Sequence, residues 1–436
     1  MSVKSSSLDI PLLKRPFDKA ILIPGSKSIT NRALLIAALA SGNSTLRNVL
    51  FSDDTEYMIG ALLKLGISLD IAREQNVIIV YGKGGALDRP SEPIFIGNSG
   101  TCARFLTTAV ALGHGDYVID GNERMRQRPI QDLVDGLKGL GVDVSTINST
   151  GCPPLTVHAS GIRGGETTVQ GSTSSQYLSS ILLSAPYASK DVIVHVKGKL
   201  VSRPYVVMSA RMMMQFGARV SWKEDSEIYV FTDKKYAGRE YMIESDYSSA
   251  SYFAGAAALT GSHAVLTRLP ANSLQGDAVF LEILERMGAT VDQNEETVDV
   301  TGTGTLEAID VDMYDFSDLV PTVAVLAAFA RGTTRITNVE NIRVKESDRI
   351  AAIATELKKI GTAVTEHRDG LEIQGGCKLH GASIQTYDDH RVAMSFAIAG
   401  LKVPGIKIEN PGCVAKTYPK FFDEFLGLAK KLNNSA

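Results

Sequence analysis

The sequence has few cysteines, and their spacing excludes the common cysteine-based sites. No CxxC pair and no neighbouring histidine pair accompanies the four that occur, which are Cys102, Cys152, Cys377 and Cys413. A disulfide framework or a zinc site requires clustered cysteines or cysteine and histidine ligands. We therefore expect no metal and a protein of a reducing compartment.

The sequence also lacks a segment that could cross a membrane. Its longest strongly apolar run, LVPTVAVLAAFA at 319–330, is shorter than the about 20 residues that a spanning helix needs. The N-terminal segment MSVKSSSLDIPLLKRPF has no apolar core of the secretory kind. We expect a cytoplasmic protein without a membrane partner; the alternative is an organelle enzyme that is processed after import.

Neither sign of charge dominates the chain. The sequence has 45 basic and 48 acidic side chains, a formal net charge of -3 and no long block of one sign. This balance argues against nucleic acid as a partner and against adhesion to anionic membranes. A binding site for an anion must therefore be local. The 436 residues also exceed the usual size of one hydrophobic core, which predicts two domains.

What the sequence does contain is a repeat. Five segments, of which ALLKLGISLDI is the first, read as an amphipathic helix that ends in a glycine and continues as a strand. The five glycines recur 71 to 76 residues apart, at Gly66, Gly141, Gly217, Gly288 and Gly361. Glycine is the usual residue after a helix because it adopts the left-handed conformation without steric cost. The spacing predicts a duplicated unit; the alternative is chance recurrence of glycine-ended helices.

A sixth helix is predicted at 419–432, but the chain ends before its strand. The N-terminal segment SSLDIPLL could supply that strand. Six helix-and-strand units, in two domains of three, then form an α+β protein in which helices pack on sheets. We place the crossover between the domains at ESDYSSASYFAGAAALTG (244–261), with short hinges near residues 20 and 244.

Several helix starts in the first half combine small polar residues with a cation. The segment PGSKSITNR begins a helix with Lys27 and carries Arg32 one turn later, and GNSGTCAR and RQRPI repeat this pattern. Free backbone N–H groups at a helix start attract anions. Each segment taken alone could instead be a simple helix cap or a solvated basic loop.

The second half contributes further charged side chains. Asp318 precedes a nearly all-apolar helix, where a carboxylate serves as a cap or, if desolvated, as a base. RVKESDR could be a surface charge ladder, and His390 in DHR could be a structural histidine. Together the cations could surround a polyanionic ligand; they are Lys27, Arg32, Arg128, Lys345, Arg349, Arg391 and Lys416.

Eight motifs, in order across almost the whole chain, resemble those of the 5-enolpyruvylshikimate-3-phosphate synthase family. They are PGSKS-x-x-x-R, GNSGT-x-x-R, R-x-RPI, SSQ, SRPY, RVKESDR, DHR and AKTYP. The resemblance implies a two-domain inside-out α/β barrel, each domain with three βαβαββ units about a pseudo-threefold axis. The domains would be 21–244 and 1–20 plus 245–436, with the active site in the cleft between them.

The resemblance also implies the reaction. The family transfers the enolpyruvyl group of phosphoenolpyruvate to the 5-hydroxyl of shikimate 3-phosphate and releases phosphate, in the shikimate pathway to chorismate and aromatic amino acids. No cofactor is implied. We expect a monomer that is inhibited by glyphosate.

Site residues follow from the matching motifs. The resemblance implies three catalytic residues, Lys27, Asp318 and Glu346. It implies contacts to shikimate 3-phosphate by Lys27, Ser28, Arg32, Ser174, Ser175, Gln176, Ser202, Tyr205, Asp318, Asn341 and Lys345. It implies contacts to phosphoenolpyruvate by Lys27, Asn98, Gly100, Arg128, Gln176, Arg349, Arg391 and Lys416.

Two residues depart from the family pattern. Phe105 stands where many members have proline, and Ser99 stands where many have alanine, so both could alter the response to glyphosate. The related UDP-N-acetylglucosamine enolpyruvyl transferases are one rival, but they carry a reactive cysteine where this chain has Glu123. A noncatalytic protein that binds a phosphorylated metabolite is the other; the presence of Lys27, Asp318 and Glu346 argues against it.

Overall fold

The computed structural model describes residues 7–224 and 226–433, with the backbone alone for 430–433. Outside the described residues lie 1–6 and 434–436 of the predicted second domain, including Ser6 of the predicted N-terminal strand, and residue 225 of the first. The chain divides into two compact units. We call Gly25–Ile243 the central unit, and Met1–Pro24 with Glu244–Ala436 the terminal unit.

The strands are short and mostly contain β-branched or alternating residues. In chain order they are β1 (Ser7–Asp9), β2 (Asp18–Leu22), β3 (Ser41–Arg47), β4 (Ser68–Ala72), β5 (Val77–Lys83), β6 (Ile94–Phe95), β7 (His114–Asp120), β8 (Asp143–Thr146), β9 (Leu155–Ser160), β10 (Gly165–Gln170), β11 (Val192–Lys197), β12 (Arg219–Lys223), β13 (Glu227–Phe231), β14 (Glu240–Met242), β15 (His263–Thr267), β16 (Thr290–Gln293), β17 (Thr297–Thr301), β18 (Leu306–Glu307), β19 (Asp310–Asp312), β20 (Ala330–Arg331), β21 (Thr333–Thr337), β22 (Ala363–His367), β23 (Gly370–Gln374), β24 (Ser383–Ile384) and β25 (Lys407–Glu409).

Two helices belong to each repeat. In chain order the helices are α1 (Lys27–Leu39), α2 (Asp53–Lys64), α3 (Gly100–Ala109), α4 (Gln131–Gly139), α5 (Ser175–Ser184), α6 (Arg203–Gln215), α7 (Tyr247–Thr260), α8 (Phe280–Arg286), α9 (Val320–Ala327), α10 (Arg349–Lys359), α11 (His390–Gly400) and α12 (Phe421–Asn433).

Each repeat folds as βαβαββ around a mixed sheet. The first strand pairs in parallel with the second, the second is antiparallel to the fourth, and the fourth is antiparallel to the third, as in the sheet β6-β7-β9-β8. Among the described residues, five four-stranded sheets have this order, a three-stranded sheet consists of β24, β25 and β1, and β18 pairs with β20 in a small two-stranded sheet. The pairing of β1 with β25 confirms that the N-terminal strand completes the last repeat.

Two strands are exchanged where the chain passes between the units. β2 precedes α1 in sequence but pairs in parallel with β15 of the terminal unit. β14 precedes α7 but pairs in parallel with β3 of the central unit. The pairing of β2 places residues 21–24 with the terminal unit. The domain boundaries 21–244 and 1–20 plus 245–436 stay a prediction.

The glycine repeat has the predicted backbone geometry. Each of the five glycines lies two residues after its helix and two residues before the next strand. All have a positive φ, between 77° and 101°, at Gly66, Gly141, Gly217, Gly288 and Gly361. The segment at 244–261 likewise forms α7, with Asp246 as its N-cap and Gly261 in the left-handed conformation at its end.

The first helix of each repeat lies inside its unit. We call these the inner helices: α1, α3 and α5 pack together in the central unit, and α7, α9 and α11 do so in the terminal unit. α3, α9 and α11 are buried at every position, which explains their apolar sequences. Near the helix starts in the terminal unit, the hydroxyl oxygens of Ser251 and Thr322 are 3.4 Å apart and those of Thr322 and Ser395 are 3.2 Å apart. The N-terminal halves of its three inner helices therefore lie side by side.

Two glycine substitutions in the central unit should have opposite effects on stability, because Gly217 has a left-handed backbone conformation and Gly60 has a helical one. Gly217→Ala forces a side chain into φ 101°, although the nearest atom to an added Cβ is an ordinary 3.6 Å away. We expect a loss of about 1–2 kcal/mol in the free energy of unfolding. Gly60→Ala, in the exposed interior of α2 with nothing within 4 Å of an added Cβ, should gain about 0.5–1 kcal/mol.

Urea unfolding followed by fluorescence measures both effects. The only tryptophan, Trp222, lies in β12 of the same unit and reports on its unfolding. Shifts of the same sign for both variants would contradict the assignment of Gly217 as a conformational requirement.

Candidate active site

Lys27 begins the first inner helix of the central unit and lies beside a carboxylate. Its Nζ is 3.4 Å from Asp54 Oδ2, and the two side chains are 13% and 3% exposed. Asp54 stands in the first turn of α2, which Ser52 and Thr55 close with a capping box. Shielding from water strengthens the attraction between this cation and a bound anion. Sequence reasoning missed Asp54, because acidic residues after a serine read as an ordinary helix start.

Asn98, Gly100 and Arg128, all predicted to bind phosphoenolpyruvate, lie together at the start of α3. Arg128 Nη1 donates hydrogen bonds to the backbone and side-chain oxygens of Asn98, both at 3.1 Å. A Cβ on Gly100 would stand 2.5 Å from Arg128 Nη2, so glycine allows the guanidinium to lie against the helix start. A guanidinium and backbone N–H groups in one place form an anion site.

Arg32 is buried and faces the interior of the central unit. Its Nε donates to Ser209 Oγ at 2.8 Å, and Nη1 and Nη2 donate to the backbone oxygens of Ser28 and Tyr205 at 2.9 and 3.2 Å. Burial lowers the pKa of this guanidinium to about 10. The guanidinium carbon Cζ of Arg32 lies 5.1 Å from the ring centre of Phe105, one of the two residues that depart from the family pattern. The structure thus joins Arg32 to Ser28 and Tyr205 through protein contacts.

The predicted serines stand at two further helix starts. Ser174 caps α5 by accepting a hydrogen bond from the backbone N of Gln176 at 3.3 Å, with Ser175 next to it. Ser202 precedes α6 in the left-handed conformation, with φ 51°. The two helices pack against each other. Hydroxyls and helix N-termini suit a phosphate, which accepts several hydrogen bonds at once.

A charged group in the terminal unit surrounds Asp318. This Asp318 group consists of Asp318, Lys345, Glu346, Arg349, Asp389, Arg391 and Lys416. Asp318 Oδ1 accepts from Arg349 at 2.9 Å and lies 3.7 Å from Lys345, and Oδ2 accepts from Arg391 at 2.8 Å. Burial alone would raise the pKa of Asp318, but Arg391, Lys345 and Arg349 outweigh burial and hold it well below the usual range. Asp318 is therefore ionised at neutral pH.

Arg349 is the centre of this group and is only 1% exposed. Its three nitrogens Nε, Nη1 and Nη2 lie 2.8, 2.9 and 2.9 Å from Asp389, Asp318 and Glu346. Burial would lower the pKa of this guanidinium, but the three carboxylates raise it above its usual value. The surface charge ladder considered for RVKESDR is therefore wrong at Arg349.

Asp389 and Lys416 complete the group. Asp389 also accepts from Ser347 Oγ at 3.0 Å and from the backbone N of Arg391 at 2.9 Å, which caps α11. Lys416 Nζ lies 3.8 Å from Glu346 Oε1. The group thus gathers four cations around three carboxylates in one shielded place, and clustered cations of this kind favour anionic ligands. Asp389 was not among the predicted site residues. Its position two residues before Arg391 in the DHR motif could have indicated it.

Asn341 lies near Asp318, and its side-chain amide makes a hydrogen bond through its nitrogen but not through its oxygen. Its Nδ2 donates to Ser317 Oγ at 3.1 Å, whereas its buried Oδ1 has no hydrogen-bond partner. A buried acceptor of this kind costs about 1–3 kcal/mol unless a ligand or water donates to it.

Residues 7–224 and 226–433 contain neither a metal-binding cluster nor a helix that could span a membrane. In this part of the chain no three histidine, cysteine or acidic side chains are grouped as a metal site would require. None of the helices described there is both long enough and apolar enough to pass through a bilayer.

The comparison with known families decides the assignment. The sequence model of EPSP synthase (3-phosphoshikimate 1-carboxyvinyltransferase) matches residues 14–425. The chain belongs to this family. The 3-phosphoshikimate 1-carboxyvinyltransferase of Trichormus variabilis is 45% identical over 419 residues, which cover 96% of this chain and 98% of that one. That of Shewanella sediminis is 42% identical over 412 residues, with 94% and 96% covered.

A solved structure has the same fold. The EPSP synthase from Acinetobacter baumannii aligns with a TM-score of 0.81 and 29% sequence identity, covering 98% of each chain. The predicted family, the predicted α+β architecture and the prediction that the chain is a transferase are confirmed. The roles of individual site residues stay predictions.

The ion pairs of Arg349 predict a large effect at Asp389 and a small one at its neighbour. Asp389→Asn removes a buried charge that contacts Arg349, so we expect the free energy of unfolding to fall by about 3 kcal/mol. Asp388→Asn makes the same chemical change at an exposed position whose φ of 57° suits asparagine, and should stay within about 0.5 kcal/mol. Urea unfolding followed by circular dichroism compares them. Equal effects would show that burial of the Arg349 pair is not the cause.

Proposed function

We propose that the helix starts of the central unit and the Asp318 group bind the two substrates of the family reaction. The chain transfers the enolpyruvyl group of phosphoenolpyruvate to shikimate 3-phosphate and releases phosphate, a step of the shikimate pathway. The observation that carries the residue assignment is the Asp318 group, where the ionised Asp318 and four cations share one shielded place. Both units contribute side chains in this proposal, as the sequence resemblance implies.

Shikimate 3-phosphate is proposed to use the serine-rich helix starts. Its phosphate accepts hydrogen bonds from Ser174, Ser175 and Ser202 and pairs with Lys345. Support comes from the capped start of α5 and from Ser202 at the start of α6.

The rest of shikimate 3-phosphate is proposed to contact side chains around these helix starts. Ser28 donates to its carboxylate, and Arg32 supplies positive charge and holds Ser28 and Tyr205 in place. Gln176 flanks the ring together with Tyr205. The unsatisfied Oδ1 of Asn341 accepts from a ring hydroxyl.

Phosphoenolpyruvate is proposed to pair with cations from the helix starts of the central unit and with cations of the Asp318 group. Its carboxylate pairs with Arg349 and Arg391, since guanidinium forks match carboxylates in geometry. Its phosphate sits against Gly100 and the start of α3, and Asn98 and Gln176 line this site. Three cations neutralise the phosphate, namely Lys27, Arg128 and Lys416.

The proton transfers are assigned to the carboxylates of the Asp318 group. Asp318, with Lys27, accepts the proton of the 5-hydroxyl, whose oxygen attacks the central carbon of phosphoenolpyruvate. Glu346 gives a proton to the methylene carbon, so that a tetrahedral intermediate forms. Return of a methyl proton to Glu346 then restores the double bond, and the proton held by Asp318 and Lys27 passes to the departing phosphate. General acids and bases of this kind typically contribute 10²–10⁴-fold each.

Binding of the substrates itself prepares Asp318 for this role. Without ligand, Arg349 and Arg391 hold its pKa low, so Asp318 is a weak base. A substrate carboxylate that pairs with the two guanidinium groups offsets their field, and this raises the pKa of Asp318 toward the range of a general base.

Release of inorganic phosphate tests the function directly. Purified protein should release phosphate only when phosphoenolpyruvate and shikimate 3-phosphate are both present, with one equivalent of the enolpyruvyl ether formed per phosphate. Release from phosphoenolpyruvate alone would indicate a phosphatase, and the absence of any release would overturn the proposed function.

Removal of the Asp318 charge should stop catalysis with little change in binding. We expect Asp318→Asn to lower kcat by more than 100-fold, equivalent to about 2.7 kcal/mol, because the amide cannot accept the hydroxyl proton. The Kd for shikimate 3-phosphate, measured by calorimetry, should change by less than about threefold. Asp315→Asn, three residues earlier, is the control and should keep wild-type kcat. Retention of more than a tenth of wild-type kcat by Asp318→Asn excludes this role.

A methyl group at position 100 should weaken phosphoenolpyruvate binding. The Cβ of Gly100→Ala would stand 2.5 Å from Arg128 Nη2, so the guanidinium must move. We expect about a tenfold rise in the KM for phosphoenolpyruvate and an unchanged KM for shikimate 3-phosphate. Glyphosate is proposed to inhibit in competition with phosphoenolpyruvate, and its Ki should rise in the same variant. Gly60→Ala controls for a general effect of the substitution.

We also propose that the chain is monomeric and cytoplasmic. The exposed large apolar side chains among the described residues are few and come from different elements. The four cysteines are free thiols, which suits a reducing compartment. Light scattering coupled to gel filtration tests the oligomeric state.

A further inference from the structure

Asp277 is a buried carboxylate that has no part in the proposed reaction. It lies in the short turn Gly276–Val279 before α8 and is only 4% exposed. Its Oδ2 accepts a hydrogen bond from the hydroxyl of Ser248 in the first turn of α7. Ionised side chains are seldom buried unless a nearby charge or hydrogen bond compensates for the loss of water. The neighbours of Asp277 therefore indicate its role.

Ser248 connects this carboxylate to the Asp318 group. Arg391 Nη2 donates to Ser248 Oγ at 3.4 Å and to Asp318 Oδ2 at 2.8 Å. A hydroxyl has one proton to donate and two lone pairs to accept. Because Ser248 donates its proton to Asp277, its lone pairs are directed to the guanidinium.

We propose that Asp277 is a positioning residue that acts through Ser248 to orient the Arg391 guanidinium toward the carboxylate of phosphoenolpyruvate. The inference rests on the proposed function, in which Arg391 binds that carboxylate. Ser248 belongs to α7 and Asp318 to the turn before α9, so two elements accept hydrogen bonds from the same atom, Arg391 Nη2. This double contact fixes the plane of the guanidinium, on which a two-point contact with a carboxylate depends.

The protonation state of Asp277 controls the direction of the hydrogen bonds. Burial, then the charge of Asp318, raise the pKa of Asp277 to about 6, while Arg391 lowers it and Asp246 at the start of α7 adds to the rise. Above this pKa the carboxylate holds the Ser248 proton. Below it, protonation removes the negative charge that holds the Ser248 proton, so the hydroxyl can rotate and its lone pairs are no longer fixed toward Arg391. The hold on Arg391 is therefore present at neutral pH and weakened in acid.

Steady-state kinetics of Asp277→Asn and Ser248→Ala test this role. We expect the KM for phosphoenolpyruvate to rise about tenfold in each, in line with loss of one hydrogen bond to a charged group, while kcat changes less than about threefold. The KM for shikimate 3-phosphate should stay constant. Glu282→Gln removes one exposed negative charge from the adjacent α8 and should leave all three constants unchanged.

A pH profile separates orientation from a purely structural role. Both substrates carry phosphates that titrate near pH 6, so we compare kcat/KM for phosphoenolpyruvate as the ratio of wild type to Asp277→Asn. Substrate ionisation cancels in this ratio. The ratio should be about 10 above pH 7 and approach 1 near pH 5, because wild-type Asp277 is then protonated. A structural role would lower the melting temperature and leave the ratio independent of pH.

The double variant completes the test. If Asp277 acts through Ser248, Asp277→Asn with Ser248→Ala should raise the KM no further than either change alone. Additive effects, an unchanged KM, or a ratio constant with pH would each overturn the inference. Wild-type protein that releases no phosphate would instead overturn the proposed function, so the two failures are distinguishable.

Discussion

The ion pairs of the buried Arg349 determine how the terminal unit arranges its charged residues. Asp318, Glu346 and Asp389 come from the turn before α9, the loop before α10 and the loop before α11, and one guanidinium contacts all three. Burial of four charges is favourable only when the contacts are close and the hydrogen bonds are complete. The backbone must therefore deliver each carboxylate to within about 3 Å, and the packed inner helices provide that rigidity.

The same design recurs in the central unit with different side chains. There the inner helices begin with small residues, and Gly100 leaves room for Arg128 against the start of α3. Helix starts supply backbone N–H groups that need no flexible side chain and lose little entropy on binding. A chain with a formal net charge of -3 can thus bind polyanions, because its cations are gathered where helices begin. Charge balance over the whole sequence carries no information about such local gathering.

Local features were predictable from the sequence, whereas most long-range contacts were not. The helix ends at glycine followed directly from the conformational freedom of that residue, and the positive φ of Gly361 and its four counterparts agrees. The pairing of β2 with β15 was not predicted, because it joins segments 245 residues apart. Asp54 and Asp277 escaped notice since an acidic residue near a helix start is usually a cap. The contacts of Arg32 with Ser179 and Ser209 depend on packing between repeats, which periodicity does not report.

The exchanged strands have a consequence for the order in which the protein folds during synthesis. The central unit is complete in sequence once residue 243 has left the ribosome, so its three sheets can form while the second half is still being made. The terminal unit must wait, because β1 pairs with β25, about 400 residues later in the sequence. Until β15 has been made, β2 lacks its partner strand and exposes an unpaired edge that invites association with other chains. The nascent chain therefore passes through a stage in which a finished domain carries a reactive N-terminal strand, a stage at which a chaperone has most to contribute.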